Sequence, residues 1–96
     1  GWQLYMRIKY FAYLRDVTRV AEEHYITTAA TAGALLDELC RRHGPPFAKW
    51  VLKPDGSLSE IAIILVNGRD IRDGVWAETP IAPGDDICIF PPVAGG

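Results

Sequence analysis

The sequence TAGALLDELCRRHG, residues 31–44, decides how the rest of the chain folds. Its apolar residues recur at the spacing of one helix face, while charged residues occupy the other face. Thr31 can cap the start of this helix with its hydroxyl group, and Gly44, followed by two prolines, ends it. We therefore predict one main amphipathic helix that packs on one face of a sheet. Its apolar stripe consists of Leu35, Leu36, Leu39 and Cys40.

Strand-like segments lie on the N-terminal side of this helix. Residues 7–14 are rich in β-branched and aromatic side chains and partly alternate with polar ones, which predicts a strand. Residues 15–19 form a polar connection, and residues 21–26 are predicted to be a second strand. The chain therefore enters the main helix after two consecutive strands.

Helical turns and further strands are predicted on the C-terminal side. Residues 47–52 are amphipathic and suit one or two helical turns. The continuous apolar run at residues 61–66 predicts a buried strand, which a tight turn at Asn67-Gly68 closes. Residues 86–90 follow another turn and predict the last strand. This order of elements favours an α+β domain, and a β-grasp, with a mixed sheet packed against one main helix, is a natural solution.

The length of 96 residues suits one domain. We assign residues 6–90 to the β-grasp domain and residues 91–96 to an extended C-terminal tail that ends in Gly-Gly. Residues 1–5 precede Met6, which looks like a natural start. We interpret these five residues as a cloning remnant or an N-terminal extension of the first strand.

The composition excludes several classes of function. The net charge is −2, and no basic patch of the kind that binds nucleic acid is visible. No apolar run is long enough to span a membrane and no secretory signal is recognisable, so we expect no membrane partner and a cytoplasmic location. Cys40 and Cys88 fit a reducing compartment, and their separation does not suit a metal site. A domain of this size has little room for a deep cofactor pocket, and the sequence shows neither a nucleophile–base pair nor metal-ligand spacing. We therefore expect no bound metal or cofactor and no catalysis by this chain alone.

The C-terminal sequence FPPVAGG, residues 90–96, is the most informative part of the chain for function. Its two prolines favour an extended path, and six residues past Phe90 reach roughly 20 Å. Gly95 and Gly96 lack side chains, so their backbone can enter a narrow cleft that a Cβ atom would obstruct. The carboxylate of Gly96 is the reactive group of such a tail, and a partner has to activate it. The alternative is that a glycine-rich end is simply frayed.

Three segments carry a resemblance to a known family. Asn67-Gly68, Gly84-Asp85 and the sequence IFPPVAGG at residues 89–96 resemble the small subunits of molybdopterin synthase. These MoaD-type proteins belong to the MoaD/ThiS family of ubiquitin-like sulfur carriers. The resemblance extends over residues 6–96, although residues 45–60 form a longer segment than the shortest members have. It implies a ubiquitin-like β-grasp fold.

The resemblance also implies a function. An adenylyltransferase of the ubiquitin-activating kind would use ATP to form an acyl-adenylate on Gly96, and sulfur would then displace AMP to leave a thiocarboxylate. The charged carrier would dock on the large subunit of molybdopterin synthase, in a heterotetramer. There it would give its sulfur to a pyranopterin precursor of the molybdenum or tungsten cofactor. ATP would be used by the activating partner, and this chain would bind no cofactor.

The same resemblance assigns roles to the tail residues. Gly96 would carry the adenylate and then the thiocarboxylate, and Gly95 would provide clearance in the partner's cleft. Two successive docking partners predict an exposed apolar patch on the sheet face away from the main helix. The candidate aromatic anchors of this patch are Tyr10, Phe11 and Tyr13. The sequence does not show which of their side chains point outward. The partner-binding residues at the base of the tail would be Phe90, Pro91, Pro92, Val93 and Ala94.

Other functions remain open at this stage. The tail could deliver sulfur for thiamin synthesis or tRNA thiolation, or it could be conjugated to protein lysines as a modifier. A function of another class is that of a non-catalytic β-grasp interaction domain. That function needs no chemistry at Gly96, so residues added after Gly96 would leave it intact.

Overall fold

Five strands form one mixed sheet in the computed structural model, which describes residues 4–92. The first and last strands are parallel neighbours, and every other pair of neighbours is antiparallel. The strands are β1 (Met6–Tyr10), β2 (Glu22–Tyr25), β3 (Ile63–Val66), β4 (Arg69–Asp70) and β5 (Asp86–Phe90), in the sheet order β2-β1-β5-β3-β4. β5 therefore lies in the middle of the sheet.

Within residues 4–92, three α-helices accompany the sheet: α1 (Leu14–Thr18), α2 (Ala32–His43) and α3 (Pro45–Val51). Two short 3-10 helices, Ile71–Asp73 and Trp76–Glu78, follow β4. The hydroxyl group of Thr31 accepts a hydrogen bond from the amide of Ala34 at 3.2 Å, which confirms the predicted cap of the main helix α2. Gly44 ends α2 with a positive φ of 80°. The two prolines after it begin α3, since proline is favoured at the first positions of a helix.

One face of the sheet packs against α2 and α3. Burying each large apolar side chain there stabilises the fold by roughly 1.5–3 kcal/mol. The predicted apolar stripe of α2 is buried except for Cys40, which is half-buried. The sheet contributes Met6, Ile8, Tyr10, Ile64, Val66, Ile87 and Ile89 to this core, and α3 contributes Phe47 and Val51.

The first strand is shorter than predicted. β1 ends at Tyr10 rather than Leu14, and the expected polar connection at residues 15–19 contains most of α1. The reason is Ala12, whose φ of 54° turns the chain out of the extended conformation. Leu14 is then buried as the first residue of α1. A left-handed alanine is uncommon, so the apolar run gave no sign of this turn.

The apolar run at residues 61–66 is not buried throughout. β3 begins only at Ile63, and Ile61 and Ile63 are 66% and 45% exposed. Ala62 and Ile64 are buried, so buried and exposed side chains alternate. The predicted tight turn after β3 is confirmed, because Asn67 and Gly68 both have positive φ values, 51° and 84°.

The predicted fold class is confirmed. The sheet is mixed, one main helix packs on it, and the strand order is that of a ubiquitin-like β-grasp. The predicted order of elements omitted α1 and the two-residue strand β4, which is the second arm of the hairpin closed at Asn67-Gly68. None of the helices described between residues 4 and 92 is long and apolar enough to cross a bilayer.

We predict that Gly33→Ala destabilises the fold. A Cβ atom at this position of α2 would lie 2.8 Å from the carbonyl oxygen of Ala77 and 3.0 Å from its Cβ atom. Such overpacking costs about 1–3 kcal/mol, and the higher helix propensity of alanine offsets up to about 1 kcal/mol of it. We expect a net loss of about 1–2 kcal/mol in the free energy of unfolding, measured by urea denaturation.

Gly74→Ala is the matched control. A Cβ atom at residue 74 meets no described atom within 4 Å, and its φ of −145° suits an ordinary residue. We expect its free energy of unfolding to change by no more than about 0.5 kcal/mol. Equal stability of the two variants would show that the close approach between α2 and residue 77 does not constrain the fold.

Candidate docking face and tail base

The sheet face opposite α2 carries an apolar patch next to the tail. Because side chains alternate along a strand, the residues of β3 and β5 that do not enter the core lie on this outer face. Ile63 pairs with Phe90, and Leu65 pairs with Cys88. Phe11, which continues β1, stacks on Phe90 with ring centroids 4.2 Å apart. We call these five residues the outer patch.

An apolar surface lies on this face as predicted, but of the outer patch only Ile63 is exposed and the other four residues are half-buried. Of the three candidate anchors, Phe11 belongs to the patch, whereas Tyr10 points into the core and is 1% exposed. The hydroxyl group of Tyr10 donates to Glu23 at 2.5 Å, and burial raises the pKa of this tyrosine far above its usual value. Sequence reasoning missed Ile63 and Leu65 as members of the patch, because the run at residues 61–66 is apolar throughout and does not show which side chains face outward.

The other half of the outer face is polar. Arg7 donates to both carboxylate oxygens of Asp86, at 2.7 and 3.0 Å. This hydrogen-bonded ion pair holds the pKa of the Asp86 carboxyl below its usual value. Nearby, the rings of Tyr5 and His24 stack with centroids 4.5 Å apart. The outer face thus divides into a polar end, where β5 begins, and an apolar end, where β5 leads into the tail.

The base of the tail is held against the body of the protein. Phe90 is half-buried through its stack on Phe11, and Pro91 is buried. The carbonyl group of Pro92 accepts a hydrogen bond from the hydroxyl group of Tyr13. The Tyr13 ring packs on Trp50 at a centroid distance of 4.8 Å and an interplanar angle of 60°. The first three predicted partner-binding residues therefore have intramolecular contacts that fix where the tail starts.

The remaining predicted site residues lie outside the described part of the chain. These are Val93, Ala94, Gly95 and Gly96, and their assigned roles stay predictions. The roles of Phe90, Pro91 and Pro92 in binding a partner also stay predictions, because the structure contains one chain.

The two cysteines are free and half-buried. Cys40 lies on α2, where burial, followed by the charge of Asp37, raises the pKa of its thiol to about 11. A thiol with this pKa is almost entirely protonated at neutral pH and is a weak nucleophile. Cys88 lies in the outer patch, beside Lys9 of β1. Within residues 4–92, no three histidine, cysteine, aspartate or glutamate side chains are grouped so that they could hold a metal ion.

A groove runs along β4 and the segment at residues 71–80 that follows it, and acidic side chains contribute to its lining. It lies at the far end of the sheet from the tail, because Val66 at its edge pairs with Ile87, whereas Ile63 pairs with Phe90. Its acidic lining residues are Asp70, Asp73 and Glu78. The groove is therefore separate from the outer patch.

Sequence comparison identifies related proteins. The model of the family described as the ThiS family matches residues 8–96. A predicted sulfur carrier protein of Archaeoglobus fulgidus is 48% identical over 46 residues, which are 48% of this chain and 52% of that protein. The match thus spans about half the length of this curated relative.

Solved structures share the fold over nearly their whole length. The crystal structure of Haloferax volcanii small archaeal modifier protein 1 is 32% identical, with a TM-score of 0.73, and the match covers 93% of this chain and 98% of that one. A predicted molybdopterin converting factor subunit 1 of Pyrococcus furiosus is 29% identical, with a TM-score of 0.69 and coverages of 94% and 99%. Both similarities extend over more than nine-tenths of each chain.

We predict that Ile63→Glu weakens docking without unfolding the protein. The side chain is 45% exposed and lies beside Phe90 at the apolar end, so a charge there remains hydrated in the isolated chain but is desolvated under a partner. We expect the dissociation constant for an adenylating enzyme of the kind that the sequence resemblance implies, measured by calorimetry, to rise about tenfold or more.

Ile26→Glu introduces the same charge at an isoleucine that is 75% exposed and lies just beyond β2. We expect this control to bind like the unmodified chain. Weakened binding of both variants to the same extent would indicate a general charge effect rather than docking through the outer patch.

Proposed function

Because this chain belongs to the ThiS family and is therefore a ubiquitin-like sulfur carrier or modifier, we propose that it is the sulfur carrier of a molybdopterin synthase. In this proposal Gly96 is the C-terminal residue and is converted to a thiocarboxylate. The thiocarboxylate then donates sulfur to a pyranopterin precursor of the molybdenum or tungsten cofactor.

The observation that carries this proposal is the position of the tail base beside the outer patch. β5 leads directly into Pro91 and Pro92, so the tail starts at the apolar end of the outer face. A partner that covers the patch would find the tail at the edge of the same surface. Docking of the body and insertion of the tail can then be two parts of one binding event, which lowers the entropic cost of aligning the carboxylate.

The reactions take place at the Gly96 carboxyl group, and the partners supply the ATP, the sulfur and the catalytic groups. A carboxylate is a poor acyl donor, so the adenylating partner joins the Gly96 carboxylate to the α-phosphate of ATP and releases pyrophosphate. A sulfur nucleophile then attacks the acyl carbon, and AMP leaves. The thiocarboxylate sulfur bonds to the precursor, and water then attacks the acyl carbon. The C–S bond to the tail breaks, which leaves the sulfur on the precursor and regenerates the Gly96 carboxylate. We propose that this chain holds no cofactor of its own during the cycle, and that the ATP-dependent cycle runs in the cytoplasm.

The proposed acceptor complex is a molybdopterin synthase in which this chain pairs with a large subunit as a heterotetramer. Two findings support this choice over thiamin synthesis or tRNA thiolation. The sequence FPPVAGG at residues 90–96 resembles that of the molybdopterin synthase small subunits. The Pyrococcus furiosus structure, which is named as a molybdopterin converting factor subunit, is similar over 94% of the chain.

Protein modification is the second candidate function. It is supported by the 32% identity with Haloferax volcanii small archaeal modifier protein 1 over 93% of the chain. In this case the acyl-adenylate, or a thioester made from it, would acylate a lysine amine instead of accepting sulfur. Both functions use the same activated carboxyl group and differ in the nucleophile that attacks it.

We predict that the intact chain gains mass when it is incubated with ATP, its adenylating enzyme and a sulfur donor. The gain should equal the replacement of one oxygen atom by sulfur, and intact-mass spectrometry measures it. A glycine appended after Gly96 should abolish the gain, because the carboxylate would then lie one residue too far along the cleft. Gly96→Ala should reduce it through obstruction by the added Cβ atom.

A non-catalytic interaction domain predicts a different outcome, in which partner binding is unaffected by the appended glycine. No mass gain with an enzyme shown to be active on another carrier would overturn the sulfur-carrier function. Isopeptide-linked products in place of the thiocarboxylate, detected by tryptic mass spectrometry, would establish the modifier function instead.

A further inference from the structure

We propose that Tyr13 is a positioning residue that sets the direction in which the tail leaves the body. It does so by donating a hydrogen bond to the carbonyl group of Pro92. The length of chain that can extend into a partner's cleft then begins after Pro92 rather than after Phe90. The inference rests on the proposed function, because its consequence is the placement of the Gly96 carboxylate in a partner's cleft.

The contacts around Tyr13 form a clamp on the tail base. Its hydroxyl group donates to the carbonyl oxygen of Pro92, and its ring rests on Trp50 of α3. On the other side of the tail base, Phe90 stacks on Phe11 at 4.2 Å. Between these two contacts Pro91 is buried. The tail base is therefore held at Phe90 and at Pro92 by two residues of the connection between β1 and α1, and Trp50 of α3 supports one of them.

The backbone conformation of Ala12 explains how Phe11 and Tyr13, the residues before and after it, contact the two sides of the tail base. The amide of Phe11 still donates to the carbonyl group of Ile89 at 3.1 Å, so its ring stays on the outer face of the sheet. Ala12 then adopts a φ of 54°, and the chain turns into α1. This left-handed alanine is unfavourable and persists because its surroundings hold it. The turn directs Tyr13 away from the strand path and towards Pro92.

Trp50 makes the position of Tyr13 rigid. It is half-buried on α3, and its ring meets that of Tyr13 edge to face. The ammonium group of Lys49 lies over the Trp50 ring at 5.2 Å. A tyrosine hydroxyl on a loop would sample many directions, whereas this one is held by a ring on a neighbouring helix. The hydrogen bond to Pro92 therefore restrains the tail rather than following its movement.

The clamp changes the geometry that a partner meets. Counted from Phe90, six residues reach roughly 20 Å, whereas counted from Pro92 four residues reach about 13 Å. A cleft matched to the shorter reach receives the carboxylate only when the tail base points along the clamped direction. Loss of the clamp leaves the outer patch intact, so docking persists but fewer docked molecules have the carboxylate at the reacting phosphate.

Tyr13→Phe tests this inference, because it removes the hydroxyl group and keeps the ring on Trp50. We expect kcat for ATP-dependent adenylation of Gly96, measured as pyrophosphate release, to fall about three- to tenfold, as the loss of one hydrogen bond would give. KM should change by less than about twofold, because it reports docking when chemistry is slow. The free chain provides a second measurement, since the carbonyl ¹³C shift of Pro92 should move when its donor is lost.

Tyr5→Phe is the control, because it removes a tyrosine hydroxyl group at the polar end of the outer face, away from the tail base. It should leave kcat, KM and the Pro92 shift unchanged. A rise in KM for Tyr13→Phe at constant kcat would make Tyr13 a partner contact and overturn the positioning role, as would an unchanged kcat. An unmodified chain that is not adenylated at all would overturn the proposed function. In that case an unmoved Pro92 shift would separately overturn the clamp.

Discussion

The parallel pairing of β1 and β5 is the constraint on which the rest of the structure depends. It places β5 between β1 and β3, so the tail starts at the centre of the sheet rather than at an edge. The register aligns Tyr10 with Ile89, which brings the end of β1 beside the base of the tail. A slip of one residue would exchange the core and outer faces of β5. It would expose Ile87 and Ile89 and bury the residues that β5 contributes to the outer patch.

Much of the fold follows from local patterns in the sequence. The helical spacing of apolar residues, the Thr31 cap and the glycine before two prolines together give α2 at nearly its observed length. The last strand is found with its observed bounds, Asp86–Phe90. The predicted end of β1 was wrong, because Ala12 has a positive φ. A positive φ is uncommon in residues other than glycine, so the local sequence gives no sign of it. Tertiary contacts of Leu14 and Tyr13 favour this turn, and a single sequence does not display them.

The candidate site, like the fold, is only partly predictable from the sequence. The tail and its glycines are recognisable from the sequence, because their chemistry depends on residue types at consecutive positions. The outer patch needed the register between β3 and β5 before Ile63 and Phe90 could be placed side by side. The contact between Tyr13 and Pro92 joins residues 79 positions apart and depends on α3 as well. Such a contact arises from the packing of three elements, so no sequence motif predicts it.

The central position of β5 has a consequence for how the chain folds. Arg7 and Asp86 are 79 residues apart, so pairing of the first and last strands must close almost the whole chain. Loop closure of this length costs entropy before any contact compensates for it, and domains rich in such contacts fold slowly. Until β5 arrives, β1 and β3 each present an unpaired apolar edge that another chain could bind. The strand that carries the tail to its partner is also the one whose late arrival leaves the folding chain most exposed to aggregation.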